Sequence, residues 1–242
     1  MKLDSRNAAL AGRWLVGLAL VLASGVLEPA LAHGIAGKDA AFVAASTGPQ
    51  IVPFIYLGAK HMVTGYDHLL FILGVIFFLY DLRHVALYVT MFSIGHSATL
   101  LAGVLTNIHV NAFLVDAVIG LSVAYKAFDN LGGFRTVFGF QPNTKLAVLG
   151  FGLVHGFGLA TKLQDLRLSK NGLVANLVSF NVGVELGQLL ALSVILMVVV
   201  WWRKQSGFAR QAVAANALIL FAGFLLMGYQ LAGFFTEGKV PA

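Results

Sequence analysis

Histidine and carboxylate side chains recur inside long apolar stretches of this sequence, where ionisable groups are rare. An aspartate at the centre of a membrane helix costs about 2.5–3.5 kcal/mol on insertion scales, so each such residue needs a chemical reason. Imidazole nitrogens and carboxylate oxygens bind divalent transition metals, and nickel, cobalt and zinc suit such ligands. The candidate metal ligands are His61, Asp67, His68, His96, His155 and Glu185.

The carboxyl groups in these stretches lack an evident cationic partner in the sequence. Arginine is absent from the predicted spans, and lysine occurs in them only near their ends, at Lys60, Lys126, Lys145 and Lys162. The acids must therefore be protonated, pair with protonated histidines or bind a cation. A divalent ion with neutral imidazoles and one or two carboxylates satisfies all of these groups at once.

Other polar residues are expected to support the ligands or to line a path to them. Asn181, Glu185 and Gln188 are spaced i, i+4, i+7, which predicts one polar stripe facing the interior of a helix bundle. Asp116 is predicted to accept a hydrogen bond that fixes a histidine tautomer, or to form a protonated bond between helices. Ser97 is predicted to be a local hydrogen-bonding residue.

The composition places these residues in an integral membrane protein. Of the 242 residues, 59% are hydrophobic and only 11% are charged, which excludes soluble enzymes and soluble DNA-binding folds. The formal net charge of +6 comes from scattered lysines and arginines, so no nucleic-acid partner is expected. The absence of cysteine excludes disulfides, thiolate metal sites and cysteine nucleophiles.

The first 32 residues have the layout of a secretory signal peptide. Basic residues precede the apolar stretch 14–27, and the small-x-small pattern ending at Ala32 predicts cleavage there. The alternative is an uncleaved first span. Cleavage would leave His33 outside the cytoplasm, where its imidazole and free α-amine form a candidate site of metal capture.

The rest of the chain predicts an all-α membrane domain of about six transmembrane helices. We expect a short extracytoplasmic segment at 33–55, the membrane domain at 56–235 and a tail at 236–242. The location expected is the cytoplasmic (inner) membrane, with the orientation resting on the signal peptide because basic residues are divided almost evenly between the two sides. The predicted spans are 56–80, 84–106, 110–128, 145–163, 172–202 and 211–235.

The depth of the polar residues predicts a single site. His68, His96, His155 and Glu185 each lie near the middle of a predicted span, so we expect them to meet at one level. In a continuous helix His61 would lie about 10 Å nearer the outer face than His68 and on the same side, as an entry ligand.

Two GxxxG motifs accompany the polar residues. One surrounds His155, with glycines at 152 and 156, and the other surrounds Glu185, with glycines at 183 and 187. Small residues at this spacing let helices approach closely. We therefore expect the fourth and fifth spans to pack together.

Three segments together resemble the HupE/UreJ family of hydrogenase- and urease-associated membrane proteins: 58–74 (GAKHMVTGYDHLLFILG), 92–97 (FSIGHS) and 151–158 (FGLVHGFG). The resemblance covers most of residues 50–235. It implies a signal peptide, about six spans, permease activity for nickel or cobalt, and metalloenzyme maturation proteins as partners. It also places the family's motif residues on the six candidate ligands named above. Related sequences tend to have glutamate where this chain has Asp116, so a direct ligand role is less expected there.

Three functions remain open at this stage. The leading one is a permease that captures a divalent ion near His61 or His33 and passes it inward through the central site. The alternative is a membrane-embedded metalloenzyme, hydrolase-like and using zinc or a similar metal, with Asp67 or Glu185 as general base. The third, an accessory protein without transport, leaves the acids unexplained. Nickel or cobalt is favoured by the resemblance, while zinc and copper(II) fit the same ligands.

Overall fold

The computed structural model describes residues 37–166 and 168–236, and this part of the chain is helical and contains no β-strand. The predicted signal peptide, His33 and residues 237–242 lie outside the described residues. A π-helical turn occupies Phe134–Phe138. The α-helices are α1 (Gly37–Ala45), α2 (Ile51–Thr64), α3 (Tyr66–Ile76), α4 (Leu82–Thr106), α5 (Ala112–Asn130), α6 (Thr144–Asp165), α7 (Leu173–Arg203) and α8 (Phe208–Thr236).

Four helices of the described part, α4, α6, α7 and α8, are long and apolar enough to cross a membrane. They coincide with the second, fourth, fifth and sixth predicted spans. The predicted third span coincides with α5, which is less apolar because Asp116, Lys126 and Asp129 all lie on its 19 residues. The chain is therefore a multi-pass membrane protein whose described part is all-helical.

The predicted first span is two helices instead of one. Helix α2 ends at Thr64 and α3 begins at Tyr66, and Gly65 between them has extended backbone angles (φ −75°, ψ 100°). The N–H of Gly65 donates to the carbonyl of His61 at 3.0 Å. Glycine favours such a break because it stabilises a helix interior less than other residues do. The expectation of one continuous helix over 56–80 is wrong for this reason.

Three pairs of helices make the closest contacts: α2 with α7, α4 with α6, and α5 with α8. In the first pair Gly183 lies against Ile55 and Gly187 against Ala59, so the two helices run parallel. Helices α4 and α6 are also parallel, whereas α5 and α8 are antiparallel. A short loop cannot join two parallel helices. At least one other helix therefore lies in the chain between the members of each parallel pair.

The GxxxG motifs act in two different pairs. Gly152 and Gly156 of α6 pack against the backbone of Phe92 and His96 on α4, whereas the glycines around Glu185 pack against α2. The expectation that these motifs join the fourth and fifth spans is wrong, because each small face meets another neighbour. Close packing at Gly156 nevertheless places His155 beside α4.

The far end of α3 is held by an arginine of α7. Arg203 donates hydrogen bonds to the carbonyls of Ile76, Phe77 and Leu79 at 2.6, 2.7 and 2.8 Å, and its guanidinium lies 4.3 Å from the ring centroid of Tyr80. Terminal carbonyls of a helix have no partner within it. The bonds from Arg203 therefore fix the end of the short helix that carries Asp67 and His68.

Candidate metal site

Three histidine rings surround His68 in the interior of the protein. The centroid of the His68 ring lies 5.1 Å from that of His61, 6.0 Å from that of His96 and 4.9 Å from that of His155. Helix α2 contributes His61 in its last turn, and α3 contributes Asp67 and His68 in its first turn. The middles of α4 and α6 contribute the other two rings.

All five of these side chains are buried. The exposed fraction is at most 7%, at His61, and is 0% at His96. Phe92 packs edge-on against His155 at 5.0 Å between centroids, and Phe180 of α7 lies 6.0 Å from His61. Polar ligands with an apolar wall are typical of a site from which bulk water is excluded.

The tautomer of His68 follows from its neighbour. The Nδ1 atom of His68 lies 3.1 Å from Oδ1 of Asp67. Asp67 is in the first turn of α3, where the positive end of the helix dipole favours an ionised carboxylate. A carboxylate only accepts hydrogen bonds, so Nδ1 of His68 donates and Nε2 keeps the lone pair that can bind a metal.

Several ring nitrogens of the cluster have no hydrogen-bond partner among the described residues. They are Nε2 of His61, Nε2 of His68, and both nitrogens of His96. Leaving a buried polar atom without a partner costs about 1–3 kcal/mol, and native proteins contain few such atoms. Their concentration in one place indicates a site for a ligand.

Two overlapping sets of these residues bring three potential ligand atoms close enough together to hold one metal ion. One is His61, His68 and His96, the other is Asp67, His68 and His155, and within each set the ligand atoms lie within 4.8 Å of one another. Bonds from zinc to imidazole nitrogen are about 2.0–2.1 Å long, so small side-chain movements would bring three donors onto one ion. His68 belongs to both sets.

The position of His61 differs from the one expected. A continuous helix would separate His61 from His68 by about 10 Å along its axis. The break at Gly65 instead brings the two rings into edge contact. His61 is therefore part of the central cluster, and its expected place as a separate outer ligand is wrong.

The polar stripe on α7 faces the interior only in part. Asn181 and Gln188 are buried, whereas Glu185 is exposed. At about 100° per residue, Glu185 lies roughly 40° from Asn181, on the side away from Gln188, and this rotation carries it past the edge of the buried face. Glu185 belongs to neither ligand set.

Asp116 has a lysine partner that the sequence analysis did not assign to it. Nζ of Lys162 lies 2.9 Å from Oδ2 and 3.2 Å from Oδ1 of Asp116. The pair joins α5 to α6 with Asp116 largely buried. The expectation that the acids lack a cationic partner is wrong for Asp116, because the end of α6 packs beside the start of α5.

The remaining supporting residues contact their own helix or α4. Gln188 accepts a hydrogen bond from the Ser93 hydroxyl at 2.7 Å, which joins α7 to α4. The amide nitrogen of Asn181 donates to the carbonyl of Leu177 at 3.1 Å. Ser97 is half-buried, and one residue beyond His96 it points about 100° away from it.

Ser122, which was not among the residues predicted from the sequence, also contacts the cluster: its hydroxyl oxygen lies 3.3 Å from Nε2 of His155. A single serine in an apolar helix is common, and no spacing to another polar residue distinguished this one. Its position beside His155 arises from the contact between α5 and α6.

Comparison with known proteins supports one assignment. Residues 37–238 match the family described as HupE / UreJ protein, which includes all of the clustered residues. Neither the curated proteins nor the solved structures contain a significant match. Because the match covers most of the sequence, the chain belongs to the HupE/UreJ family.

Proposed function

We propose that this protein carries a divalent transition-metal ion, nickel or cobalt, across the membrane, with the buried histidines and Asp67 as its transient ligands. The observation that carries the proposal is the pair of overlapping ligand sets around His68 in the interior. Membership of the HupE/UreJ family favours nickel and cobalt among the metals that accept nitrogen and oxygen ligands.

The shared histidine supports movement of one ion between two positions. With Nδ1 of His68 donating to Asp67, only Nε2 can bind a metal. The two sets therefore cannot each hold an ion through His68 at the same time. An ion leaving His61 and His96 for Asp67 and His155 would keep one ligand throughout, which lowers the cost of the exchange. Transport requires binding of this reversible kind.

The broken helix also fits a transporter. In many transporters interrupted helices place their ends beside the substrate near the middle of the membrane. Here α2 ends and α3 begins next to the cluster, and the first turn of α3 carries Asp67. The carboxylate supplies negative charge for the incoming cation beside the imidazole ligands.

Features of the sequence support a proposed direction and setting of transport. We propose that the mature N-terminus lies outside the cytoplasmic membrane, because the first 32 residues have signal-peptide features. We propose that the ion is captured on that side and moves inward. Metalloenzyme maturation proteins are the proposed recipients, as the family assignment suggests.

Uptake of radiolabelled nickel into proteoliposomes tests the proposal. Wild-type protein is expected to fill the vesicles with nickel, and cobalt is expected to compete. The double variant Asp67→Asn, His68→Ala should lose uptake because it removes a residue common to both sets together with the carboxylate that orients it. Gly150→Ala is the matched control, since a methyl group there meets nothing within 4 Å. Equal uptake by the wild type and the double variant would contradict the proposal.

A metalloenzyme is the second candidate, and the His61, His68 and His96 set favours it. Three imidazoles with a nearby carboxylate are also the donor set of hydrolytic zinc sites. An enzyme of this kind would keep its metal through dialysis and would not accumulate nickel in vesicles. Tight zinc retention with no uptake of any metal would make this the better assignment.

A further inference from the structure

Ser122 lies where it can decide which nitrogen of His155 binds a metal. It is fully buried on α5, a helix that contributes no member to either ligand set. Its Oγ atom is 2.7 Å from the carbonyl oxygen of Ile119 and 3.3 Å from Nε2 of His155. The serine therefore joins the backbone of α5 to one face of the cluster.

The single proton of the Ser122 hydroxyl sets the direction of its hydrogen bonds to Ile119 and His155. A serine hydroxyl has one proton to donate and two lone pairs to accept with. A carbonyl oxygen can only accept, so the short bond to Ile119 uses the proton. The oxygen of Ser122 is then an acceptor toward His155, whose Nε2 must carry hydrogen. In a neutral imidazole the lone pair then lies on Nδ1.

Packing against aromatic rings restricts the orientation of the His155 ring. The ring is in contact with Phe92, Phe71 and His68, at centroid distances of 5.0, 5.7 and 4.9 Å. Aromatic neighbours on several sides restrict rotation of the ring but do not select a tautomer. A hydrogen bond to the distal nitrogen does, as for metal-binding histidines in general.

We propose that Ser122 is a positioning residue that holds His155 as the Nε2–H tautomer, so that Nδ1 is the nitrogen presented to the transported ion. The inference rests on the proposed function for the metal, but the tautomer itself can be observed without one. Asp67 plays the corresponding part for His68, with the opposite nitrogen protonated.

Nitrogen NMR of the full-length protein in detergent, with ¹⁵N-labelled histidine and no metal, tests the tautomer directly. The spectrum is recorded at about pH 8, where an ordinary imidazole is neutral, and a His155→Gln variant identifies the His155 signals. We expect Nε2 of His155 to carry hydrogen and Nδ1 to have the shift of an unprotonated nitrogen. A protonated Nδ1 in the wild type would overturn the proposal, whatever the behaviour of any variant.

Variants at Ser122 test the consequence for binding. Ser122→Ala should give a mixture of tautomers and weaken Ni²⁺ binding about 10–100-fold, the usual effect of losing such a hydrogen bond. Ser122→Thr should restore one tautomer, since a threonine hydroxyl can make the same bond to the preceding turn. Ser179→Ala is the control, because Ser179 is also buried and its hydroxyl donates to the carbonyl of Ala175 in its own helix.

The outcomes separate the two proposals. A single Nε2–H tautomer that Ser122→Ala abolishes, in a wild-type protein that binds no Ni²⁺, would support the role of Ser122 and contradict metal transport. If the Ser122→Ala variant kept the wild-type tautomer of His155 and the wild-type affinity for Ni²⁺, the role of Ser122 would be overturned. The transport proposal would be unaffected.

Discussion

His96 carries the clearest chemical signal of any single residue. Its side chain is completely buried, and neither ring nitrogen has a hydrogen-bond partner among the described residues. A neutral imidazole has one donor and one acceptor, and neither has a partner in the part of the chain that the structure describes. A metal ion at the proposed site would satisfy the acceptor directly, and this would account for a histidine at this position in an apolar interior.

Glu185 is the residue at which sequence and structure lead to different expectations. Its exposed position on α7 predicts that Glu185→Gln changes Ni²⁺ affinity less than about twofold, whereas Asp67→Asn lowers it at least tenfold, as loss of a ligand or its support usually does. Equilibrium dialysis of the purified variants against Ni²⁺ measures both.

The test is which of the two variants, Glu185→Gln or Asp67→Asn, loses more Ni²⁺ affinity. If Glu185→Gln weakened binding as strongly as Asp67→Asn, the carboxylate of α7 would have to reach the cluster, in contradiction to its exposed side chain.

At the scale of elements, the break between α2 and α3 shapes the candidate site. It brings His61 and His68 together and places the first turn of α3, with Asp67, beside them. Gly65 allows this because a side chain there would meet its neighbours: an added Cβ would lie 2.8 Å from Nδ1 of His68 and 3.2 Å from Oδ1 of Asp67.

Gly65→Ala is therefore expected to weaken Ni²⁺ binding by at least about tenfold, the size of effect seen when the support of a ligand is disturbed. The added methyl group pushes the His68 ring away from Asp67, and alanine also favours continuation of the helix by about 1 kcal/mol. Isothermal titration of the detergent-solubilised variant measures the change.

Gly228→Ala provides the comparison, because a methyl group there meets nothing within 4 Å. An unchanged affinity in Gly65→Ala would show that the junction is wide enough for a side chain, and the role given to the break would be wrong.

At the scale of the whole molecule, the cluster draws on helices from separate parts of the chain. Helices α2 and α3 supply His61, Asp67 and His68, while the parallel pair α4 and α6 supplies the other two rings. Helix α7 packs on α2, and Arg203 holds the end of α3. An ion bound at the centre would therefore join elements that are distant in sequence.

Metal binding should consequently stabilise the folded protein as a whole. A ligand present at 100 times its dissociation constant adds about 2.7 kcal/mol to the free energy of unfolding, so Ni²⁺ should raise the unfolding temperature in detergent and a chelator should reverse the rise. The His68→Ala variant should show no such shift, since His68 belongs to both ligand sets. A shift of equal size in this variant would place the bound metal elsewhere.

The class of the protein and most of its candidate ligands could be predicted from the sequence. The reason is energetic: apolar stretches long enough for a membrane are unmistakable, and an ionisable residue inside one is costly enough to indicate function. His68, His96 and His155 near the middles of their stretches predicted a meeting at one level, and the structure brings these three rings together.

The grouping of those residues depended on the tertiary structure, because it is set by helix rotation and by the choice of partners. The sequence does not state that Gly65 interrupts a helix, that the face around Gly156 meets α4, or that Glu185 lies past the edge of a buried face. Nor does it state that Ser122 lies beside His155. A rotation of some 40°, or a different neighbour, leaves the hydrophobic pattern unchanged but decides which side chains meet.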